Sequence, residues 1–82
     1  MTKTKFIYQI ETEPHYNILI RLLSRFARNR IVIEELQTVQ HVETPQRISI
    51  TVSDTKEKSI QLARKTEGEI DVLSVKLFEQ TN

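Results

Sequence analysis

Along this chain the spacing of apolar positions switches between two and about 3.6, and each switch marks an element. Phe6, Tyr8 and Ile10 share one parity in a β-branched and aromatic run that Pro14 punctuates, so the first element is a strand. From Ile18 the period lengthens: Leu19, Leu22, Leu23 and Phe26 follow the i, i+3, i+4, i+7 rule of an amphipathic helix, with Asn17 as the expected N-cap. A second β-branched run opens at Ile31-Val32-Ile33 and continues patchily through Leu36, Val39 and Val42. Thr44-Pro45-Gln46 has turn chemistry. Ile48, Ile50 and Val52 then alternate with Arg47, Ser49 and Thr51, the pattern of a half-buried strand.

Asp54-Thr55-Lys56-Glu57 has the spacing of a capping box, with Asp54 at the N-cap and Glu57 reaching back. It opens a second helix with a thin apolar side of Ile60, Leu62 and Ala63. Gly68, the single glycine, is expected in the left-handed C′ position that ends this helix. The last strand runs from Ile70 to about Phe78 and changes parity between Val72 and Leu73, which a bulge or burial on both faces would explain. The order is β-α-β-β-α-β. Short connections and right-handed crossovers then favour the ferredoxin-like α+β arrangement, a four-stranded antiparallel sheet with both helices on one face.

Composition narrows the class. At 82 residues, the chain is expected to form one domain over residues 1–82. A domain this small buries only about 60–65% of its unfolded surface. With no cysteine and only His15 and His41 as imidazoles, neither a disulfide nor a zinc site can staple it, which leaves association as the route to more buried area. Twelve basic against eleven acidic residues make no electrostatic case for nucleic acid or an anionic membrane. No apolar run approaches a membrane span and the start, MTKTK, is not a signal peptide, so the expected location is cytoplasmic.

Catalysis is poorly supported. A nucleophile–base set lacks its cysteine, the two histidines have no metal-ligand spacing, and one glycine cannot build a phosphate loop. Glu34 and Glu35 are neighbours in a strand and are expected on opposite faces, not as an acid/base pair. The same element order serves RNA-binding domains, but those need stacking aromatics on the first and third strands, and Tyr8 alone is a poor platform. No catalytic or metal-binding residue is therefore assigned. The first helix offers more. Arg21, Arg25 and Arg28 lie at i, i+4, i+7 in a window free of acid from Pro14 to Ile33, which reads either as a docking face for an acidic partner or as a solvated face favoured by the helix dipole. Tyr16, Ile18, Ile20 and Ala27 also widen the apolar stripe to roughly 200°, about twice what one sheet requires, which predicts a contact beyond that sheet.

The stretch from Glu13 to Val39, EPHYNILIRLLSRFARNRIVIEELQTV, resembles the opening of ACT domains, in particular the small regulatory subunit of acetolactate synthase. That family reads roughly E-N-x-x-G-h-L, then F-x-R-R, then N-I-E-S-L-T-V. Here Glu13, Ile18-Leu19, Phe26-Ala27-Arg28 and Ile33-Glu34-Glu35-Leu36-Gln37-Thr38-Val39 match in order, the last with one inserted residue. Arg47 to Val52 is similar to the family's third strand, and Ile70-Asp71-Val72-Leu73-Ser74-Val75 to its I-D-V-x-x-V ending. The resemblance implies a non-catalytic subunit that forms a homodimer through sheet edges and activates the acetolactate synthase catalytic subunit. Thiamine diphosphate, FAD and Mg would then be bound by that partner alone, and no cofactor by this chain. It also implies an effector loop between the first strand and first helix, where the family binds a branched-chain amino acid.

The effector-loop candidates on this basis are Pro14, His15, Asn17, Ile18 and Val32, and the partner-docking candidates are Arg21, Arg25 and Arg28. The departures fall on the loop. The family's asparagine is Pro14, its glycine is Asn17, and the asparagine of N-I-E-S-L is Val32. Pro14 has no amide to donate and Val32 cannot hydrogen-bond. Each group left unpaired in a buried site costs roughly 1–3 kcal/mol, so feedback binding is expected to be weak or lost. The length matches the short class of the family.

Overall fold

A computed structural model describes residues 3–15, 17–39 and 45–80. Its elements are β1 (Thr4–Thr12), α1 (Ile18–Arg28), β2 (Ile33–Val39), β3 (Gln46–Asp54), α2 (Lys56–Glu67) and β4 (Val72–Gln80). The strands form one antiparallel sheet in the order β2-β3-β1-β4. Strand alternation decides which face is covered. Phe6, Tyr8 and Ile10 of β1 and Ile48, Ile50 and Val52 of β3 all enter one core with Ile18, Leu22 and Phe26 of α1 and Leu62 and Ala63 of α2. Both helices therefore lie on the same face, the ferredoxin-like arrangement expected from the element order.

Tyr8 links the two helices at the centre of the core. Its ring meets Phe26 edge-on at 4.9 Å between centroids, and its hydroxyl donates to the Ser59 carbonyl at 3.0 Å. Burial pushes the Tyr8 phenol above its ordinary value, opposed by the Ser59 bond and aided by the nearby Asp54 carboxylate. A phenol that must stay neutral in the core contributes its stability fully below the ordinary tyrosine pKa and loses it as pH rises beyond.

The parity change in the last strand is a bulge. Thr12 pairs with Val72 whereas Glu11 pairs with Ser74, so Leu73 is the extra residue, and Val72, Val75 and Leu77 all reach the core. The strand itself begins two residues later than expected, because Asp71 takes a left-handed φ of 74° before it. β2 begins at Ile33, and Ile31 serves as a core residue ahead of it. It too is bulged. The register passes from Ile33–Val52 to Glu35–Thr51, and Glu34 meets Ser53 and Lys5, so both carboxylates turn toward the helix-free face instead of alternating. Tyr16, His41, Val42 and Thr44 lie outside the described residues.

Helix ends also differ from expectation. Asn17 does occupy the N-cap of α1 but makes no side-chain cap hydrogen bond. At α2 the cap is Thr55, whose hydroxyl accepts from the Lys58 amide at 3.3 Å. Asp54 is still the last residue of β3; it accepts from the Thr55 amide and pairs with Lys58, so the N-cap is shifted by one, the position that a capping box fills with Glu or Gln holds Lys58, and Glu57 stays exposed. Gly68 is right-handed, at φ −82°. The left-handed helix end belongs instead to Arg30, φ 58°, after α1. There the Arg30 amide donates to the Ala27 carbonyl and the Ile31 amide to the Phe26 carbonyl, a Schellman closure with Phe26 and Ile31 both in the core.

Candidate functional site

The β1–α1 loop is where chain geometry leaves polar atoms in excess. β1 ends at the fully buried Thr12, and the next amide, Glu13, donates to the Asp71 carbonyl at 2.8 Å, which ties the loop to the entrance of β4. Pro14 and His15 project to solvent. His15 organises the turn: its carbonyl accepts from the Ile18 amide at 3.2 Å and its Nδ1 from the Asn17 amide at 3.3 Å. That nitrogen is therefore an acceptor, and is occupied, which is the wrong state for a metal ligand at that atom. Ile18 is completely buried and belongs to the core rather than to a ligand surface.

Arg21 lies one turn into α1 and closes over the α2–β4 turn. It donates to Asp71 Oδ2 at 2.9 Å and to the Ile70 carbonyl at 3.3 Å, and lies 3.8 Å from Glu69. Arg25 grips Glu69 Oε2 with both Nε, at 3.0 Å, and a terminal nitrogen. The docking stripe is thereby divided. Arg21 and Arg25 neutralise carboxylates of their own chain, and Arg28 remains exposed as the docking candidate of the three. Glu69 and Asp71 were not legible as site residues in the sequence. Their signal was the acidic pair that complements the long acid-free window from Pro14 to Ile33, but pairing across more than 40 residues needs the fold.

Three buried polar atoms of this region have no hydrogen-bond partner among the described residues: Thr12 Oγ1, Asn17 Oδ1 and Arg21 Nε. They offer one hydroxyl, one acceptor and one cationic donor. The Asn17 side chain makes no cap hydrogen bond to the first turn of α1. Such a set suits a small polar molecule with an anionic end. Val32 is not part of it. It precedes Ile33, which aligns through Val52 with Phe6, six residues from Thr12 along β1, or about 20 Å at strand spacing. Within one chain, then, the structure brings Pro14, His15, Asn17 and Ile18 together and places Val32, 76% exposed, elsewhere.

The helix-free face is polar: Gln9, Glu11, Arg47, Ser49, Ser74 and Lys76 line a shallow hollow of about 320 Å³. Tyr8 lies buried on the other side, so it gives no stacking platform for bases. Among the described residues no group of three histidine, cysteine or carboxylate side chains could hold a metal ion, and no helix is long and apolar enough to cross a membrane.

No protein-family model matches the chain, and no curated protein matches it in sequence. Solved structures do match in shape. The ACT domain of a GTP pyrophosphokinase from Chlorobium tepidum superposes with a TM-score of 0.81 at 12% identity, covering 94% of this chain and 100% of that one. An uncharacterized protein from Thermotoga maritima gives 0.78 at 15% identity, covering 96% and 99%. The ligand-free regulatory subunit of aspartate kinase from Thermus thermophilus gives 0.72 at 15% identity, over 95% of this chain and 52% of that one. At such low identity the agreement is one of backbone architecture: the chain has the fold of ACT domains.

Proposed function

We propose that this chain is a non-catalytic, cytoplasmic regulatory subunit that pairs with itself through its sheet edges and docks on a catalytic chain. The sequence resemblance running from Glu13 to Val39 makes the acetolactate synthase catalytic subunit the partner. The observation that carries the reading is apolar surface without a cover. Ile20 on α1 is 65% exposed although the core is complete beneath it, and Leu36, Val39, Leu73 and Phe78 line the two sheet edges in the open. In this reading thiamine diphosphate, FAD and Mg belong to the catalytic partner. Co-expression with the synthase catalytic subunit of the same source tests it. The expected result is a co-purifying complex with raised synthase activity, and a catalytic chain that neither binds nor responds would overturn the assignment.

A second reading is favoured by the three orphaned polar atoms at the β1–α1 loop: a stand-alone module that holds an amino acid or other small effector for a different enzyme or regulator. Pro14, Asn17 and Val32 argue for poor affinity toward valine, since Pro14 and Val32 remove groups that the resembling family uses and Asn17 adds a side chain where a ligand would approach. A thermal-shift screen against the amino acids separates the two. A clear stabilisation by one ligand, with no effect of the chain on the synthase, favours the effector module; no shift with any favours the docking subunit.

A further inference from the structure

The side of α1 turned away from the core has two unlike ends. Ile18, Leu22 and Phe26 face the core, and Ile20, Ser24 and Ala27, at i, i+4 and i+7, stand on the opposite side in solvent. Ile20 is 65% exposed. Its neighbour Arg21 donates to the carbonyl of Ile70, itself 73% exposed, so two large apolar side chains lie open at the N-terminal end of the helix. At the C-terminal end the open side chains are cations. Arg28 and Arg30 are exposed, and Lys65 of α2 joins them there by donating to Asn29 Oδ1 at 3.3 Å. None of these three cations has an ion pair among the described residues, whereas Arg21 and Arg25 are neutralised by Glu69 and Asp71. The helix dipole accounts for cations at a C-terminus, but not for uncovered isoleucines at the other end.

We propose that this outward face of α1 is where the catalytic chain docks, through a surface segment with apolar side chains at one end and carboxylates at the other. Ile20 and Arg28 are eight residues apart, about 12 Å along the helix, and that distance sets the spacing required of the partner. Between them Ser24 and Ala27 are small and let a partner backbone come close. The acid-free run from Pro14 to Ile33 selects the sign of the occupant, because carboxylates are attracted and no acid of α1 opposes them. A second copy does not fit this face. Strand pairing extends the sheet in its own plane, while this face points away from the sheet. Two such faces set together would oppose like charges.

The inference rests on the docking role read above and assigns its surface. Binding of the full chain to the synthase catalytic subunit of the same source tests it, with sedimentation equilibrium of the chain alone beside it. Wild type is expected to bind, and to weaken about tenfold as salt rises from about 0.05 to 0.5 M. Ile20→Glu should weaken binding about thirtyfold or more, since an unpaired buried carboxylate replaces the apolar anchor. Arg28→Glu should weaken it about tenfold, with a shallower salt dependence. Arg64→Glu on α2 and Lys76→Glu on the helix-free face should bind within about twofold of wild type. All four positions are exposed and none is in an ion pair among the described residues, so folding is not at stake, and matching urea midpoints check this. Full binding by both Ile20→Glu and Arg28→Glu overturns the surface and leaves the docking role intact. Loss at Ile20→Glu, with none at Arg28→Glu and no salt dependence, overturns the acidic partner. If Ile20→Glu changes only the chain's association with itself, the face belongs to a second copy and the proposal falls. A wild-type chain that binds no catalytic subunit overturns both readings.

Discussion

The two helices put their charges to opposite uses. On α1, Arg21 and Arg25 turn inward and lock onto Glu69 and Asp71, clamping the α2–β4 turn against α1. On α2, Lys56, Glu57, Arg64 and Glu67 face solvent with no partner among the described residues. Their anchoring differs as well. α1 is held by large side chains, Ile18, Leu22 and Phe26, whereas α2 buries Leu62 and Ala63 together with the small polar Ser59 and Thr66, the latter donating to the Leu62 carbonyl at 2.7 Å. The lesson is that a cationic stripe on a helix says nothing about docking until the fold shows whether acids of the same chain stand beside it. The flank of α1 that carries Arg21 and Arg25 is an internal brace, and the charged side of α2 is open to solvent.

Breaking the brace at its apolar root should have the largest effect. Phe26→Ala removes the ring that packs on Tyr8 and closes the α1 end, and is expected to cost about 3–5 kcal/mol in urea unfolding, enough to unfold a small domain. Glu69→Gln strips the shared carboxylate from Arg21 and Arg25 at a site only 16% exposed; it should cost about 1–2 kcal/mol, whereas Glu67→Gln on the free face of α2 should change monomer stability by less than about 0.5 kcal/mol. The caps sharpen the contrast. Thr55→Ala removes a working cap from α2 and should cost about 1 kcal/mol, while Asn17→Ala on α1, whose side chain caps nothing, should change stability by only a few tenths at about the measurement error. The C-terminal ends of the helices give small effects in the stabilising direction. A Cβ at Gly68 would meet only the Lys65 carbonyl at 3.6 Å and φ is ordinary, so Gly68→Ala should raise stability by about 0.4–1 kcal/mol. Arg30→Gly should relieve the left-handed strain that ends α1 and raise the melting temperature by a similar margin.

Much of the architecture is legible in the sequence. Phe6, Tyr8 and Ile10, then Ile48, Ile50 and Val52, declare two strands and the side each buries, because side-chain direction in a strand alternates whatever lies next to it. Ile18, Leu22 and Phe26 do the same for α1 through the helical period. The break in parity at Val72–Leu73 even marked the bulge. Helix ends were harder to read. The single glycine pointed to a left-handed end for α2, and that conformation went to Arg30 because Phe26 and Ile31 pull the chain after α1 into the core.

The candidate site was half legible. Local order placed Pro14, His15, Asn17 and Ile18 on one loop, since neighbours in sequence cannot be far apart. It could not separate Val32 from them, or supply Glu69 and Asp71 as the partners of Arg21 and Arg25, because those are contacts between elements remote in the chain. The sequence by itself thus determined the elements, their order and the buried face of each, all set by the period of apolar side chains along the backbone. Only the tertiary structure decided which charges are neutralised, which polar atoms are orphaned and which surface lies open. Those depend on distances across the sheet, where burial and Coulomb attraction act without regard to position in the chain.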